Sequence, residues 1–285
     1  MSASSPQKLD DWLHKEVVAK DDITAFPLTA LAATLGRVDE RAQAGDAVPP
    51  LAHWLYFLPV VRLAEVGPDG HPRRGAFLPP VPLPRRMWAG GRLTFHAPLK
   101  VGECATRTST VTNIEEKTGR SGHLLFVTVR HAIEVAGGLR IEEEHDIVYR
   151  DAPKPDAPAP KPAHAPESET WQRIVTADPV MLFRYSALTF NGHRIHYDHP
   201  YATQQEGYPG LVVHAPLIAT LLVDLVRREH PAATLRSFAY KALHPIFAGL
   251  PFTLCGKPAG DGKTIDLWAK DHEGYLTMRA NAALV

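Results

Sequence analysis

The chain has 285 residues, of which 45% are hydrophobic, and its 31 lysines and arginines are balanced by 31 aspartates and glutamates. This length allows two cores of ordinary domain size to be buried. Because a neutral balance gives no positive field that would gather phosphate groups, neither nucleic acid nor a membrane surface is expected as a partner.

The compartment is predicted from the cysteines and from the start of the chain. The two cysteines, Cys104 and Cys255, form no C-x-x-C pair, which argues against a disulfide framework and against a thiolate zinc site. Residues 1–22 are polar and charged, unlike a secretory signal, and no apolar stretch approaches the roughly 18–20 residues of a membrane span. We therefore expect a soluble, cytoplasmic protein.

The first part of the chain is predicted to be a helix followed by a sheet. Residues 23–37 are apolar enough for a buried helix, whereas the apolar segment 53–63 is of uncertain type. From Arg92 onward, β-branched and aromatic residues separated by turn signals indicate antiparallel strands. The predicted strands are 92–99, 103–116, 123–135 and 139–150.

Proline recurs through residues 151–168, which excludes a helix or an interior strand and predicts a linker between domains 1–150 and 169–285. After the linker the same order repeats. A helix over 214–229 is apolar around most of its circumference, so it is expected inside the protein, wrapped by a sheet. The strands expected after it are 237–247, 252–259, 263–271 and 275–285.

Functional side chains concentrate in TFNGHRIHYDHP (189–200), which holds three histidines, an arginine, an asparagine and an aspartate. Together with PLPRRMWAGGRLTFHAPLKVGE (82–103) and GLVVHAPL (210–217), this segment resembles the MaoC-like hydratases. The resemblance is strongest to the two-domain branch that includes fungal-type 3-hydroxyacyl-thioester dehydratases and the itaconyl- and mesaconyl-CoA hydratases. It implies an α+β double hotdog fold and a hydro-lyase that hydrates or dehydrates a 2-enoyl-CoA thioester without a cofactor.

The resemblance also implies the catalytic groups. The family has an aspartate where this chain has Asn191, and an amide cannot act as a base, so we expect His196 to carry the proton transfer. Asn191 would hold the attacking water or orient the imidazole. Asp198 would fix the tautomer of His196 or serve only as a turn residue. The backbone N–H of Ala215, at the start of the central helix, would stabilise the enolate oxygen.

The N-terminal half is expected to supply the acyl pocket. Arg85 and Arg86 would clamp a second carboxylate and Trp88 would wall the pocket, although a basic surface turn explains either arginine equally well. His193 and Arg194 are interpreted as rim residues or as contacts to a CoA phosphate. The complete predicted substrate-binding set is Arg85, Arg86, Trp88, His193, Arg194 and His214.

The two arginines favour a short branched dicarboxyl-CoA, itaconyl- or mesaconyl-C4-CoA, hydrated to citramalyl-CoA. A dehydratase of fatty-acid synthesis would use the same groups on a longer, uncharged chain. A hotdog thioesterase and a non-catalytic acyl-CoA binding protein are further alternatives, since fold does not fix function. The carrier, CoA or acyl carrier protein, is left open, and exposed sheet edges suggest a homodimer.

The sequence does not predict three other kinds of site, a metal site, a phosphate-binding loop and a serine-hydrolase nucleophile. No metal is expected, because the histidines at 193, 196, 199 and 214 lack the spacing of a zinc site and a completing carboxylate motif. The segment GDGKT (260–264) resembles a phosphate-binding loop, but strands are predicted on both sides and a hairpin turn explains it. The G-x-S-x-G motif of serine hydrolases is absent from the sequence.

Overall fold

The structure is a computed structural model that describes residues 9–37, 41–119, 122–151 and 162–285. Its strands are β1 (Glu16–Asp22), β2 (Arg85–Phe95), β3 (Cys104–Gly119), β4 (Gly122–Val135), β5 (Gly138–Arg150), β6 (Trp171–Thr176), β7 (Leu235–Ala242), β8 (Pro251–Pro258), β9 (Thr264–Lys270) and β10 (Leu276–Leu284). Its α-helices are α1 (Ala25–Thr34), α2 (Pro179–Leu188) and α3 (Ala215–Glu229). In this described part of the chain, no helix has the length and apolar character needed to cross a membrane.

All ten strands belong to one antiparallel sheet with the order β1-β3-β4-β5-β2-β7-β10-β9-β8-β6. The first five strands in this order precede the proline-rich segment and the last five follow it, and β2 pairs with β7 where the two halves meet. A Cβ at Gly90 would lie only 2.5 Å from the carbonyl oxygen of Tyr240 in β7, so glycine is needed there. Of the predicted linker 151–168, residues 152–161 lie outside the described residues.

Helix α3 confirms the helix predicted over 214–229 and forms the centre of the C-terminal half. Ten consecutive residues, Leu217 to Val226, are buried, because β6, β8, β9 and β10 all pack against the helix. The one charged residue among them, Asp224, receives ion pairs from Arg37, from Arg173 at 2.9 Å and from Arg228 at 2.7 Å. Arg37 belongs to the N-terminal half, so this buried carboxylate links the two halves.

The structure adds elements that the sequence did not predict. The edge strand β1 (EVVAKDD) is mostly exposed and half charged, so it lacks the apolar alternation of a core strand. Asp178 is the N-cap of helix α2, and its side chain accepts a hydrogen bond from the backbone N–H of Met181 at 2.7 Å. β6 lies at the other edge of the sheet.

Two predicted boundaries were also wrong. β2 begins at Arg85 rather than Arg92. The strand was predicted too short because Gly90 and Gly91 are residues that strands disfavour. Helix α1 is shorter than the predicted 23–37, because Gly36 has a positive φ of 68° just after it.

Candidate active site

A cavity of about 610 Å³ lies between the two halves of the chain. The N-terminal half contributes β2, the loop around His71 and the segment that follows Trp54. The C-terminal half contributes the loop after α2, the start of α3 and residues 242–245. Of the predicted site residues, those that line the cavity are Arg85, Arg86, Trp88, Asn191, His193, His196 and Ala215.

His196 ends the short 3-10 turn Arg194–His196, and its imidazole is buried. Its Nδ1 lies 2.7 Å from the carbonyl oxygen of Val212. Because a carbonyl only accepts, Nδ1 carries the hydrogen and Nε2 is left as the basic nitrogen. Burial lowers the pKa of His196 to about 4, so the ring is neutral and able to accept a proton at neutral pH.

His214 packs against the ring of His196 and does not itself line the cavity. The two rings stack with centroids 3.6 Å apart, and His214 Nε2 lies 2.8 Å from the hydroxyl oxygen of Ser186 in α2. His214 is fully buried, and burial lowers its pKa well below the ordinary value. Its predicted contact with substrate therefore has no counterpart in the geometry, because the ring packs between His196 and Tyr185 at the entry of α3.

Asn191 and Ala215 both reach the cavity. The side-chain oxygen of Asn191 accepts a hydrogen bond from the backbone N–H of His193 at 3.0 Å, which fixes the amide group. Ala215 is the first residue of α3, so its N–H has no acceptor within the helix and lies at the positive end of the helix dipole. An amide and a backbone donor therefore line the same cavity as the imidazole of His196.

Asp198 and Arg194 lie outside the cavity wall. The guanidinium of Arg194 donates to Asp198 at 2.9 Å, stacks over Tyr201 at 4.2 Å and donates to the carbonyl of Pro68 at 3.0 Å. The other carboxylate oxygen of Asp198 accepts the backbone N–H of Tyr201 at 3.0 Å. Asp198 thus acts at a turn, and the group that fixes the tautomer of His196 is the carbonyl of Val212, not Asp198.

The two arginines of β2 differ in their partners. Arg85 is paired with Glu206, with Nε and Oε2 3.3 Å apart. Arg86 forms no ion pair with any residue that the structure describes. Trp88 packs edge-on against Trp54 with ring centroids 5.0 Å apart, and its indole nitrogen is buried without a hydrogen-bond partner. Of the two arginines of β2, Arg86 is therefore the one that is open to an anionic group.

The N-terminal half contributes titratable groups to the cavity in addition to the acyl pocket expected of it. Asp69 and His71 line the cavity, with a carboxylate oxygen of Asp69 3.1 Å from His71 Nδ1. The ring of His71 lies 4.1 Å from that of His193, which in turn lies 5.4 Å from that of His196. Asp69, His71 and His193 each offer one ligand atom, and these atoms lie within 4.8 Å of one another, a spacing that a proton-transfer cluster and a metal site share.

A second buried group lies behind Trp54. The carboxylate of Glu143 on β5 contacts His53 at 2.9 Å, the indole nitrogen of Trp54 at 2.8 Å, and His145. Charge and hydrogen bonds from the two histidines keep the pKa of Glu143 well below its usual range although burial alone would raise it. These residues are spread from 53 to 145 along the chain, so no local sequence motif predicts that they form a cluster.

Residues 51–248 match the family model described as hydroxyacyl-thioester dehydratase type 2. The chain belongs to this family. It is 46% identical over 274 residues to the mesaconyl-C(4)-CoA hydratase of Chloroflexus aurantiacus, covering 96% of both chains. Membership confirms the predicted hydro-lyase activity, the addition of water to the double bond of an enoyl thioester or its removal from a hydroxyacyl thioester.

Solved structures support the fold of this dehydratase family member. A MaoC-like dehydratase from Phytophthora capsici superposes with a TM-score of 0.73 at 15% identity, covering 98% of both chains. A Mycobacterium tuberculosis protein described as a double hotdog fold superposes with a TM-score of 0.57 at 14% identity, again covering 98% of both chains. The predicted α+β double hotdog fold is confirmed.

Proposed function

We propose that this protein hydrates a short branched dicarboxyl-CoA, mesaconyl-C4-CoA or itaconyl-CoA, to citramalyl-CoA. The observation that carries the proposal is that one cavity contains both the neutral imidazole of His196 and the unpaired guanidinium of Arg86. The first is suited to move a proton and the second to bind a carboxylate. The 46% identity to a mesaconyl-C(4)-CoA hydratase supports the same substrate class.

In the proposed reaction on mesaconyl-C4-CoA, whose double bond is conjugated with the thioester, His196 Nε2 takes a proton from water as the water oxygen bonds to the β-carbon. The double-bond electrons move toward the thioester oxygen, where the backbone N–H of Ala215 stabilises the developing negative charge. Asn191 orients the attacking water, and its amide is itself held by the backbone of His193. A proton at the α-carbon completes the addition.

The second carboxylate of mesaconyl-C4-CoA is attached to the β-carbon that water attacks. Its binding site therefore has to lie in the same cavity as His196. Arg86 meets this condition, whereas Arg85 is already neutralised by Glu206. A charged hydrogen bond of this kind contributes about 1.5–3 kcal/mol, which corresponds to a preference of roughly 10- to 100-fold over a substrate without the carboxylate.

The test compares mesaconyl-C4-CoA, itaconyl-CoA and crotonyl-CoA with the wild type, Arg86→Gln and Arg85→Gln, following citramalyl-CoA or 3-hydroxybutyryl-CoA by mass spectrometry. We expect the dicarboxyl substrates to be preferred, and Arg86→Gln to remove that preference while Arg85→Gln retains it. Equal turnover of crotonyl-CoA by the wild type would contradict the carboxylate clamp.

The second candidate is dehydration of 3-hydroxyacyl thioesters of longer, uncharged chains, as the family description suggests. The cavity of about 610 Å³ offers space for such a chain. A chain-length series of 3-hydroxyacyl thioesters on CoA and on acyl carrier protein separates the two candidates. A rate that rises with chain length would favour the second.

A homodimer in the cytoplasm is part of the same proposal. The two edge strands expose apolar side chains, Val17 and Val18 on β1 and Ile174 on β6. Exposed edges of this kind are commonly covered by a second copy. Light scattering of the purified protein gives the molar mass in solution, and a monomeric mass would contradict the dimer.

A further inference from the structure

The N-terminal half brings a His–Asp pair into the cavity that the proposed reaction has not yet used. Asp69 Oδ1 accepts the backbone N–H of His71 at 3.1 Å, and Asp69 Oδ2 lies 3.1 Å from His71 Nδ1. An ionised carboxylate only accepts, so Nδ1 of His71 carries the hydrogen and Nε2 is the basic nitrogen. This is the arrangement by which a carboxylate orients a general base.

The loop that carries this pair is docked directly onto the loop that carries the catalytic cluster. The backbone N–H of Arg194 donates to the carbonyl of Asp69 at 2.9 Å. A Cβ at Gly70 would lie 1.8 Å from the carbonyl oxygen of Gly192, and Gly70 has a positive φ of 90°. Two glycines thus allow the two backbones to touch. The position of Asp69 and His71 relative to His193 and His196 is therefore set by main-chain contacts.

Asp69 also supplies the kind of group that this chain lacks at position 191. Among the described residues that line the cavity, the carboxylates are Asp69 and Glu206, and Glu206 is paired with Arg85. The Nδ1–H of His196 donates to the neutral carbonyl of Val212, which stabilises a protonated imidazole only weakly. The Nδ1–H of His71 instead donates to the carboxylate of Asp69, which stabilises a protonated imidazole strongly.

We propose that His71, oriented by Asp69, is a second acid–base residue of this active site, exchanging the proton at the α-carbon while His196 exchanges the proton of water. The inference rests on the proposed hydration. In that direction the water oxygen bonds to the β-carbon and one water proton goes to His196. That proton passes from His196 through His193, whose ring lies between theirs, to Nε2 of His71, and His71 then delivers it to the α-carbon. The protein gains and loses no proton overall.

The charges around the cluster favour proton chemistry over a bound cation. Burial alone would raise the pKa of Asp69, but hydrogen bonds and charge from His71, together with Arg86, lower it overall. Burial lowers the pKa of His71, and Arg86 and Arg74 lower it further against the effect of Asp69. A guanidinium close enough to act on both groups would repel a divalent cation at the same place.

The experiment uses His71→Asn and Asp69→Asn, with Asp261→Asn as the matched control. Asp261 accepts the backbone N–H of the residue two positions later at 2.8 Å, as Asp69 does, but lies in an exposed hairpin outside the cavity. Two readouts are followed: hydration of mesaconyl-C4-CoA, and exchange of the α-proton of citramalyl-CoA in D₂O. We expect His71→Asn to lose about 10²- to 10⁴-fold in both, Asp69→Asn to lose less, and Asp261→Asn to match the wild type.

The pH profile provides a readout that a merely structural role would not move. The charged and titratable groups that face His71 are Asp69, Arg74, Arg86, His193 and His196. Only Asp69 among them raises the pKa of His71. In the exchange of the α-proton of citramalyl-CoA His71 acts as the base, so Asp69→Asn should shift the acidic limb of the exchange-rate profile to lower pH while the maximum rate falls.

The outcomes are distinguishable. An active wild type, with both hydration and α-proton exchange reduced in His71→Asn and Asp69→Asn, supports the inference. An active wild type with unchanged hydration and exchange in both variants overturns it and leaves the proposed reaction standing. Loss of wild-type activity in EDTA, restored by Zn²⁺, also overturns it and assigns the three side chains to a metal. A wild type that turns over none of the thioesters overturns both proposals.

Discussion

The neighbours of His196, rather than its own exposure, hold its ring in the form that the proposed proton transfer needs. The carbonyl of Val212 fixes which nitrogen is basic, and the ring of His214 stacks against its face. A side chain held in this way loses little conformational freedom when the substrate binds.

The prediction that follows is that His196→Ala lowers kcat by roughly 10²- to 10⁴-fold with little change in KM, because the lost group acts in proton transfer. His199→Ala is the control, since His199 lies three residues away and is exposed. Steady-state kinetics with mesaconyl-C4-CoA checks the prediction. Full activity in His196→Ala would move the chemistry to another residue.

The buried histidines also make stability depend on pH. Burial lowers the pKa of His196 to about 4 and, helped by His71 and His196, that of His193 to about 2. Below the ordinary histidine pKa of about 6.5 the unfolded chain binds protons that the folded protein does not, so the free energy of unfolding decreases as pH falls.

Urea unfolding at several pH values between about 7 and 5 should therefore show a midpoint that falls with pH, above the range in which carboxylates titrate. His196→Asn should flatten this slope because one such group is removed. His272→Asn, which changes an exposed histidine, should leave the slope unchanged. A midpoint that is constant over this range would show that the rings are protonated in the folded protein.

At the scale of elements, the active site depends on two loops that meet through glycines. Gly70→Ala would place a methyl group 1.8 Å from the carbonyl oxygen of Gly192 and would strain a positive φ of 90°. Gly45→Ala is a matched control, because Gly45 has the same φ and no atom within 4 Å of its Cβ position.

Both substitutions should lower the free energy of unfolding by about 1–3 kcal/mol, because each places an alanine at positive φ. A thermal melt measures this loss. Only Gly70→Ala should displace His71 from the cavity and lower kcat/KM beyond that loss of stability. Equal kinetics for the two variants would mean that the contact between the loops does not position the site.

The elements that could be predicted from the sequence are those with a strong local pattern. The apolar circumference of α3 and the β-branched runs of β3 to β5 are patterns of this kind, and both were found. β1 and β6 were missed because edge strands need no continuous apolar face. The cluster at 189–200 was found because its members are adjacent in sequence. Asp69 and His71 reach the cavity only through tertiary contacts, so no local sequence pattern predicts their role.

At the scale of the whole molecule, the two halves are joined by one continuous sheet. β2 and β7 pair in the middle of the sheet, and the cavity takes its walls from both halves. Asp224 adds a third connection, because it lies at 1% exposure in α3 and receives Arg37 from the N-terminal half and Arg173 and Arg228 from the C-terminal half.

Asp224→Ala should therefore destabilise the entire protein, because three guanidinium groups would be left around a buried site without a carboxylate. Breaking a buried ion pair in this way costs about 3–5 kcal/mol. Asp266→Ala is the control, since Asp266 is exposed and its carboxylate accepts only the side-chain amide of Asn281. Because the halves share one sheet, calorimetry should record a single transition at lower temperature for Asp224→Ala. Two separate transitions in the variant would show that Asp224, rather than the β2–β7 pairing, makes the halves unfold together.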